Sequence, residues 1–227
     1  MFKSCSVVLV AAIGVPAVAQ DLVVIQGTDL NHYGSASWTQ MTSLIDDTFA
    51  SVSLVPALSA AALQNADALW VDHRGAFTAL PQAEFNALMG FIASGRRVVF
   101  MGENVLWADW NRPVLEALGG GFVGGTVFAN AMPTGASPEL TAGVSGVQLT
   151  SAGIAQGGTS LFDQNWATLW GDNVLTLLDG DAFASPTFRD GNAAFAGNVV
   201  DWLAVPGPAS VVVVTLGMLT VTRRRRD

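Results

Sequence analysis

Two patterns of apolar positions alternate along the central part of the chain. Leu22 to Gly27 (LVVIQG) is a short unbroken apolar run ending in glycine, the form of a parallel strand buried on both faces. From Ser37 to Phe49 the spacing changes, so that Trp38, Met41, Leu44, Ile45 and Phe49 fall close to one face of a helix. Ser51–Val55 predicts a second strand, Ser59–Gln64 a short helix, and Ala68–Val71 (ALWV) a third strand. The clearest unit runs from Pro81 to Gly102. Pro81 suits the first turn of a helix over 82–94, Phe85, Leu88, Met89 and Ile92 keep the i, i+3, i+4, i+7 spacing, and Gly95 suits its C-terminal end. Arg97–Met101 (RVVFM) then reads as another buried strand.

Strand, helix and strand in this order make a right-handed crossover unit. Its repetition predicts an α/β fold, a three-layer sandwich with a mainly parallel central sheet. Strands 22–27, 68–71 and 97–101 are expected as parallel neighbours, flanked by helices at 37–49, 82–94 and 193–204. Residues 121 to 190 are rich in glycine and predict strands at 126–129, 147–150, 167–170 and 174–178, without an order among them. The last helix has Asp190 and Asn192 placed to cap it, and Phe195, Val199, Trp202 and Leu203 as its buried stripe.

The ends follow different rules. Residues 1–19 put Lys3 before an apolar run from Val7 to Val15 and close on Ala17-Val18-Ala19, the order of a signal peptide cut by signal peptidase after Ala19. A buried first helix would have to hold Gly14 and Pro16 in its interior. Cys5 lies within the leader, so the mature body carries no cysteine and must hold by its core. At the other end, an apolar stretch from Ala209 to Thr222 precedes Arg223, Arg224, Arg225 and Arg226. Fourteen residues of helix span roughly 21 Å, short of the hydrocarbon core of about 30 Å, so this transmembrane helix needs the arginines as a cytoplasmic anchor.

Val205, Pro206 and Pro208, the short apolar helix and the arginine cluster together resemble the PEP-CTERM sorting signal. In that family the tail is the tag of exosortase-type transpeptidases in bacteria that make extracellular polysaccharide. The resemblance covers 205–227 and departs at Gly207, where the family usually has Glu. It implies export, membrane anchoring, an exosortase-like processing partner, and a final place at the cell surface or in the extracellular matrix, with extracellular polysaccharide as a candidate partner.

Charge narrows the partners further. Between Gln20 and Val205 the chain has five arginines and no lysine against 17 acidic residues, a formal charge of −12. That surface argues against nucleic acid and anionic lipid. A body of 185 residues makes one domain, over 20–204, and buries about 70% of its unfolded surface, enough for a proper core.

The segment from Ala66 to Asn104 resembles the middle of the class I glutamine-amidotransferase-like fold, a flavodoxin-like sandwich also used by ThuA-type proteins. In amidotransferases of that fold the turn after the strand that closes this segment, here 97–101, presents a nucleophilic Cys, and related peptidases use Ser there. Here Gly102, Glu103 and Asn104 occupy that turn, and both histidines, His32 and His73, precede it, whereas the family's base follows it. The resemblance therefore implies the fold without amidotransfer, and neither a nucleophile nor a cofactor carries over.

Other chemistry remains to be weighed. Asp72, His73 and Arg74 follow the third strand and Glu103 the fourth, where open α/β sheets bind ligands. Asp72, His73 and Glu103 are thus candidates for acid–base catalysis in an extracellular hydrolase, but no spacing fixes a partner for them and they read first as ordinary loop residues. Asp179-Gly180-Asp181 and Asp190-Gly191-Asn192 offer oxygen ligands of the kind calcium takes, but lack its full loop spacing and read first as turns, so no metal is assigned. Trp107 and Trp110 are candidates for an exposed aromatic platform that stacks on sugar rings, although helical spacing of aromatics serves a core as well.

Overall fold

The computed structural model describes residues 20–207. The leader (1–19), Pro208, the apolar segment (209–222) and Arg223–Arg226 lie outside them. Among the described residues no helix is long and apolar enough to cross a membrane.

The chain folds into a mixed α/β structure. Its strands are β1 (Asp21–Ile25), β2 (Ser51–Val55), β3 (Ala68–Val71), β4 (Arg97–Met101), β5 (Gly121–Ala131), β6 (Val147–Gln156), β7 (Thr159–Ser160), β8 (Ala167–Trp170) and β9 (Val174–Leu177). The helices are α1 (Thr39–Thr48), α2 (Gln82–Ala93), α3 (Ala108–Ala117), α4 (Pro138–Thr141) and α5 (Asp190–Ala204). Seven strands form one sheet in the order β2-β1-β3-β4-β9-β8-β7. The first five are parallel, and β8 and β7 extend the sheet antiparallel beyond β9.

The three strands expected as neighbours stand side by side, with Val24 level with Trp70 and Trp70 level with Val99. Continuous apolar runs force this, because both faces of each strand meet protein. Leu22, Val24, Trp70, Val99 and Leu175 join one core with α1 and α5; Val23, Ile25, Leu69, Phe100 and Val174 join the other with α2 and α3. In the first core Phe195 packs edge-on to Phe162 and Trp166 and stacks on Phe183.

Several boundaries differ from expectation. The segment 59–64 is a hydrogen-bonded turn, with the Leu63 amide donating to the Ser59 carbonyl at 3.1 Å and the Ser59 hydroxyl accepting from the Ala62 amide, and does not extend into a helix. The pieces expected at 126–129 and 147–150 belong to a long antiparallel ribbon, β5–β6, with irregular register near Gly124 and Val127. Such a ribbon leaves many of its residues in solvent, and its register shifts break the alternation, so no apolar run announces it. Asp190 and Asn192 do not cap α5. Arg189 holds the cap position without a side-chain bond, while the Asn192 amide bridges to the backbone of Gln148 and to the Ala182 carbonyl.

The ribbon straddles the C-terminal edge of the parallel sheet. Ala131, Val147, Leu149 and Ala152 belong to the first core, whereas Ala155 and Phe122 reach the second. Phe195→Ala is expected to cost about 3–5 kcal/mol by opening the aromatic cluster. Phe128→Ala, on the outer face of the ribbon, should stay within about 0.5 kcal/mol. Urea denaturation of the two variants beside the parent chain checks both values.

Candidate functional site

Four parallel strands end together, and the loops that leave them carry the titratable groups. The loop after β1 holds Asp29, Asn31 and His32; β3 runs into Asp72 and His73, β4 into Gly102 and Glu103, and β9 into Asp179 and Gly180. This is the edge at which open α/β sheets bind ligands. The chain is closely fitted there. A Cβ on Gly27 would press on Asp72 and His32, and one on Gly102 would collide with Asn111 and Leu178.

Asp72 is fully buried and has its own partners. One carboxylate oxygen accepts from the Tyr33 amide at 2.9 Å and the other from Trp70 Nε1 at 2.7 Å. Burial pushes its pKa up to about 7, against the pull of those two donors. Asp179 is similar: Oδ2 accepts from the Thr150 amide at 2.9 Å, Oδ1 from the Asp181 amide at 3.0 Å, and burial again raises the pKa to about 7.

Glu103 and His73 meet around Gly180. Glu103 Oε1 accepts from the Gly180 amide at 2.6 Å, and a Cβ on Gly180 would lie 2.8 Å from His73 Cε1 and 3.1 Å from that same oxygen. Burial, and then the neighbouring Asp179, drive the Glu103 pKa well above the usual glutamate range. His73 is 1% exposed and edge-on to Trp107. Its Nε2 lies 3.3 Å from Asp29 Oδ2, yet the angle leaves both ring nitrogens without a true hydrogen bond. The proximity of His73 holds the Asp29 carboxyl below its usual pKa.

Of the three acid–base candidates, then, His73 and Glu103 share one glycine, while Asp72 is engaged by Tyr33 and Trp70. Arg74 turns away from the cluster to form a two-pronged ion pair with Glu84, at 3.0 and 2.9 Å. Sequence reasoning misses Asp29, which the fold brings to His73 across 44 positions with no spacing signal to mark it. In the sequence Asp179 reads first as a turn residue, with a calcium ligand as the alternative. It does cap the short 3₁₀ turn at Gly180–Phe183, and its other oxygen also holds the ribbon.

The turn after β4 is fully occupied by structural bonds. The Asn104 amide group donates to Ser151 Oγ at 2.7 Å and its oxygen accepts from the Leu106 amide at 3.0 Å. The Glu103 carbonyl accepts from Asn111 at 2.7 Å. Strand β6 crosses directly above, since a Cβ on Gly153 would strike that carbonyl. The cluster can exchange protons near neutral pH, but its carboxylates face inward and clamp backbone amides. No group of three or more His, Cys, Asp or Glu among the described residues is arranged to hold a metal ion.

The aromatic platform does not form. Trp110 is fully buried, stacked on Phe100, with its Nε1 bonded to the Met101 carbonyl. Trp107 is half-buried and donates to the Arg74 carbonyl. Both lie at the start of α3, where Trp110, Val114 and Leu115 make the buried stripe.

The raised carboxyl pKa values set a pH dependence. A carboxyl whose folded pKa exceeds its unfolded value near 3.8 stabilises the fold fully below about pH 4, and that stabilisation is lost as pH rises through 7. The melting temperature is expected to fall between pH 5 and pH 8. Asp72→Asn and Asp179→Asn should each flatten that slope, whatever they do to the absolute value. Melting curves at the two pH values check this, and an unchanged slope in both variants would refute the assignment.

Solved structures share this fold. The mmIFT52 N-terminal domain matches with a TM-score of 0.60 at 11% identity, over 81% of this chain and 97% of that one. A GMP synthase-type protein from Thermoplasma acidophilum matches at 0.52 and 11% identity, over 82% and 95%. A ThuA-like protein from Bacteroides uniformis matches at 0.51 and 11% identity, over 85% and 94%. No protein-family model and no curated protein matches the chain. At such identities the likeness is one of fold alone.

Proposed function

We propose that this chain is an exported protein, held at a bacterial cell surface or in its matrix by its C-terminal sorting tail. Its body serves there as a non-catalytic module, an amidotransferase-like three-layer α/β sandwich. The observation that carries the reading is where the two ends of the described body lie. Asp21 opens β1 at the starting edge of the parallel strands, and the chain beyond α5 leaves along that same edge, with Gly207 packed on the Gly95 carbonyl just before β4. A leader ahead of Gln20 and an anchor beyond Gly207 are thus both accommodated without disturbing the sheet.

The non-catalytic part of the reading draws on the turn after β4, where an inward-facing glutamate stands in place of a nucleophile. An anchor at the strand-start edge turns the strand ends and the β5–β6 ribbon outward, away from the bilayer. The connection is short, because α5 ends at Ala204 and the sorting motif begins at Val205. Retention depends on the arginines, each of which costs about 3 kcal/mol at the bilayer centre.

Replacing Arg223–Arg226 with Ser is expected to release part of the protein into the medium. Replacing Pro206 and Pro208 with Ala should leave retention intact while abolishing the size shift that follows processing. Cell fractionation with immunoblotting reads both outcomes, and mass spectrometry of the mature chain should find Gln20 at its N-terminus. An arginine variant that stays wholly cell-bound, together with a proline variant that matures normally, would refute the sorting role.

A further inference from the structure

Outside the strand-end cluster, the described residues line two adjoining cavities on the outward side of the ribbon. One, of about 230 Å³, lies between the ribbon and the start of α5 and is lined by Asn130, Gln148, Arg189 and Asp190 among others. The second, of about 470 Å³, runs on along β5 and β6 past Phe128. Asn130 and Gln148 line both, so the two are one continuous groove. We propose that this groove binds a neutral, hydroxyl-rich ligand, two or more consecutive rings of an oligosaccharide.

The lining chemistry selects that class. Asn130 and Gln148 each present an amide with donors on one side and an acceptor on the other. The only side-chain hydrogen bond from either amide within the described residues is a long contact from Asn130 Nδ2 to Met132 Sδ at 3.8 Å. Arg189 adds donors and Asp190 acceptors, and neither side chain is used in a hydrogen bond or ion pair among the described residues. A hydroxyl donates and accepts at one oxygen, so a pair of adjacent hydroxyls can use an amide or a carboxylate at both its atoms. Phe128, 71% exposed on the wall of the larger cavity, offers a flat apolar face to the C–H side of a sugar ring.

Charged ligands fit less well. An anion would meet Asp190 and a body of formal charge −12, and a cation would meet Arg189 with a single carboxylate to offset it. The shape also favours a chain of rings. Each cavity is small or moderate beside the roughly 300–1,000 Å³ of a compact ligand site, and they lie end to end.

The groove is built, not incidental to a loose ribbon. Asn192 pins Gln148 from α5 through both its backbone amide, at 2.9 Å, and its carbonyl, at 3.0 Å. Asp179 holds the next residue but one, Thr150, at 2.9 Å. Gly146 and Gly191 pack back to back in the floor, where a Cβ on Gly191 would collide with the Gly146 carbonyl. These residues are not those of the expected tryptophan platform, and the proposal does not depend on where the chain resides.

The test is isothermal titration calorimetry on the full chain in mild detergent. The probes are cellohexaose, maltohexaose, laminarihexaose and chitohexaose, with heparin as a polyanion. At least one neutral hexasaccharide is expected to bind saturably. Phe128→Ala, Gln148→Ala and Arg189→Ala should each weaken that binding about tenfold or more without lowering the melting temperature. Phe77→Ala, which removes an equally exposed aromatic outside the groove, should leave it unchanged. The proposal is overturned if no neutral hexasaccharide binds, if heparin alone binds, or if the three groove variants bind as the parent does. Because binding is read on the purified chain, failure here leaves the sorting reading standing, and failure of sorting leaves this one.

Discussion

The bond from the Gly180 amide to the Glu103 carboxyl is the tie on which the strand-end architecture depends. It joins the ends of β4 and β9 at a residue with no room for a side chain. The Gly180 carbonyl meanwhile accepts from Trp38 Nε1 at 3.0 Å, which fixes the entry to α1. One residue earlier, Asp179 takes the Thr150 amide and so holds the ribbon over the sheet. A short turn thereby links the strand ends and the entry to α1 to the ribbon. Losing one such buried acceptor strands a donor and costs about 1–3 kcal/mol per group.

This arrangement explains why a familiar fold carries unfamiliar residues at its usual site. The edge where strands end is where an open α/β sheet places chemistry, but the chemistry belongs to the side chains and not to the fold. Here the edge is roofed by β6, and its buried acids are spent on backbone amides and the Trp70 indole. His73, caught between Gly180 and Trp107, is enclosed with them. The outward groove of the ribbon is by contrast open, with amide, guanidinium and carboxylate groups that the fold leaves unused.

The central strands are legible in the sequence because two-sided burial demands unbroken apolar runs, and β1, β3 and β4 are such runs. Helix α2 is legible from its spacing and from Gly95, which adopts the left-handed φ of 76° that ends it. Helix α3 escapes recognition because Pro113 sits inside it and its first turn mixes charge with tryptophan. The ribbon is half-visible: its glycines, with Gly124 and Gly125 at φ of 90° and 99°, break every run that might announce a long strand. At the site, Glu103 and His73 can be named from their positions after strands, but their meeting at Gly180 and the approach of Asp29 are products of long-range packing. No local spacing encodes them.

The central claim is that the strand-end edge is closed, with the Glu103 carboxyl buried against the Gly180 amide and its pKa raised by that burial. Carbon-13 NMR titration of the Glu103 side-chain carboxyl tests it most directly. The account predicts a midpoint well above the ordinary glutamate value of 4.5, with the Gly180 amide protected from solvent exchange through the same range. A midpoint near 4.5 with a freely exchanging Gly180 amide would show an open, solvated edge and contradict it.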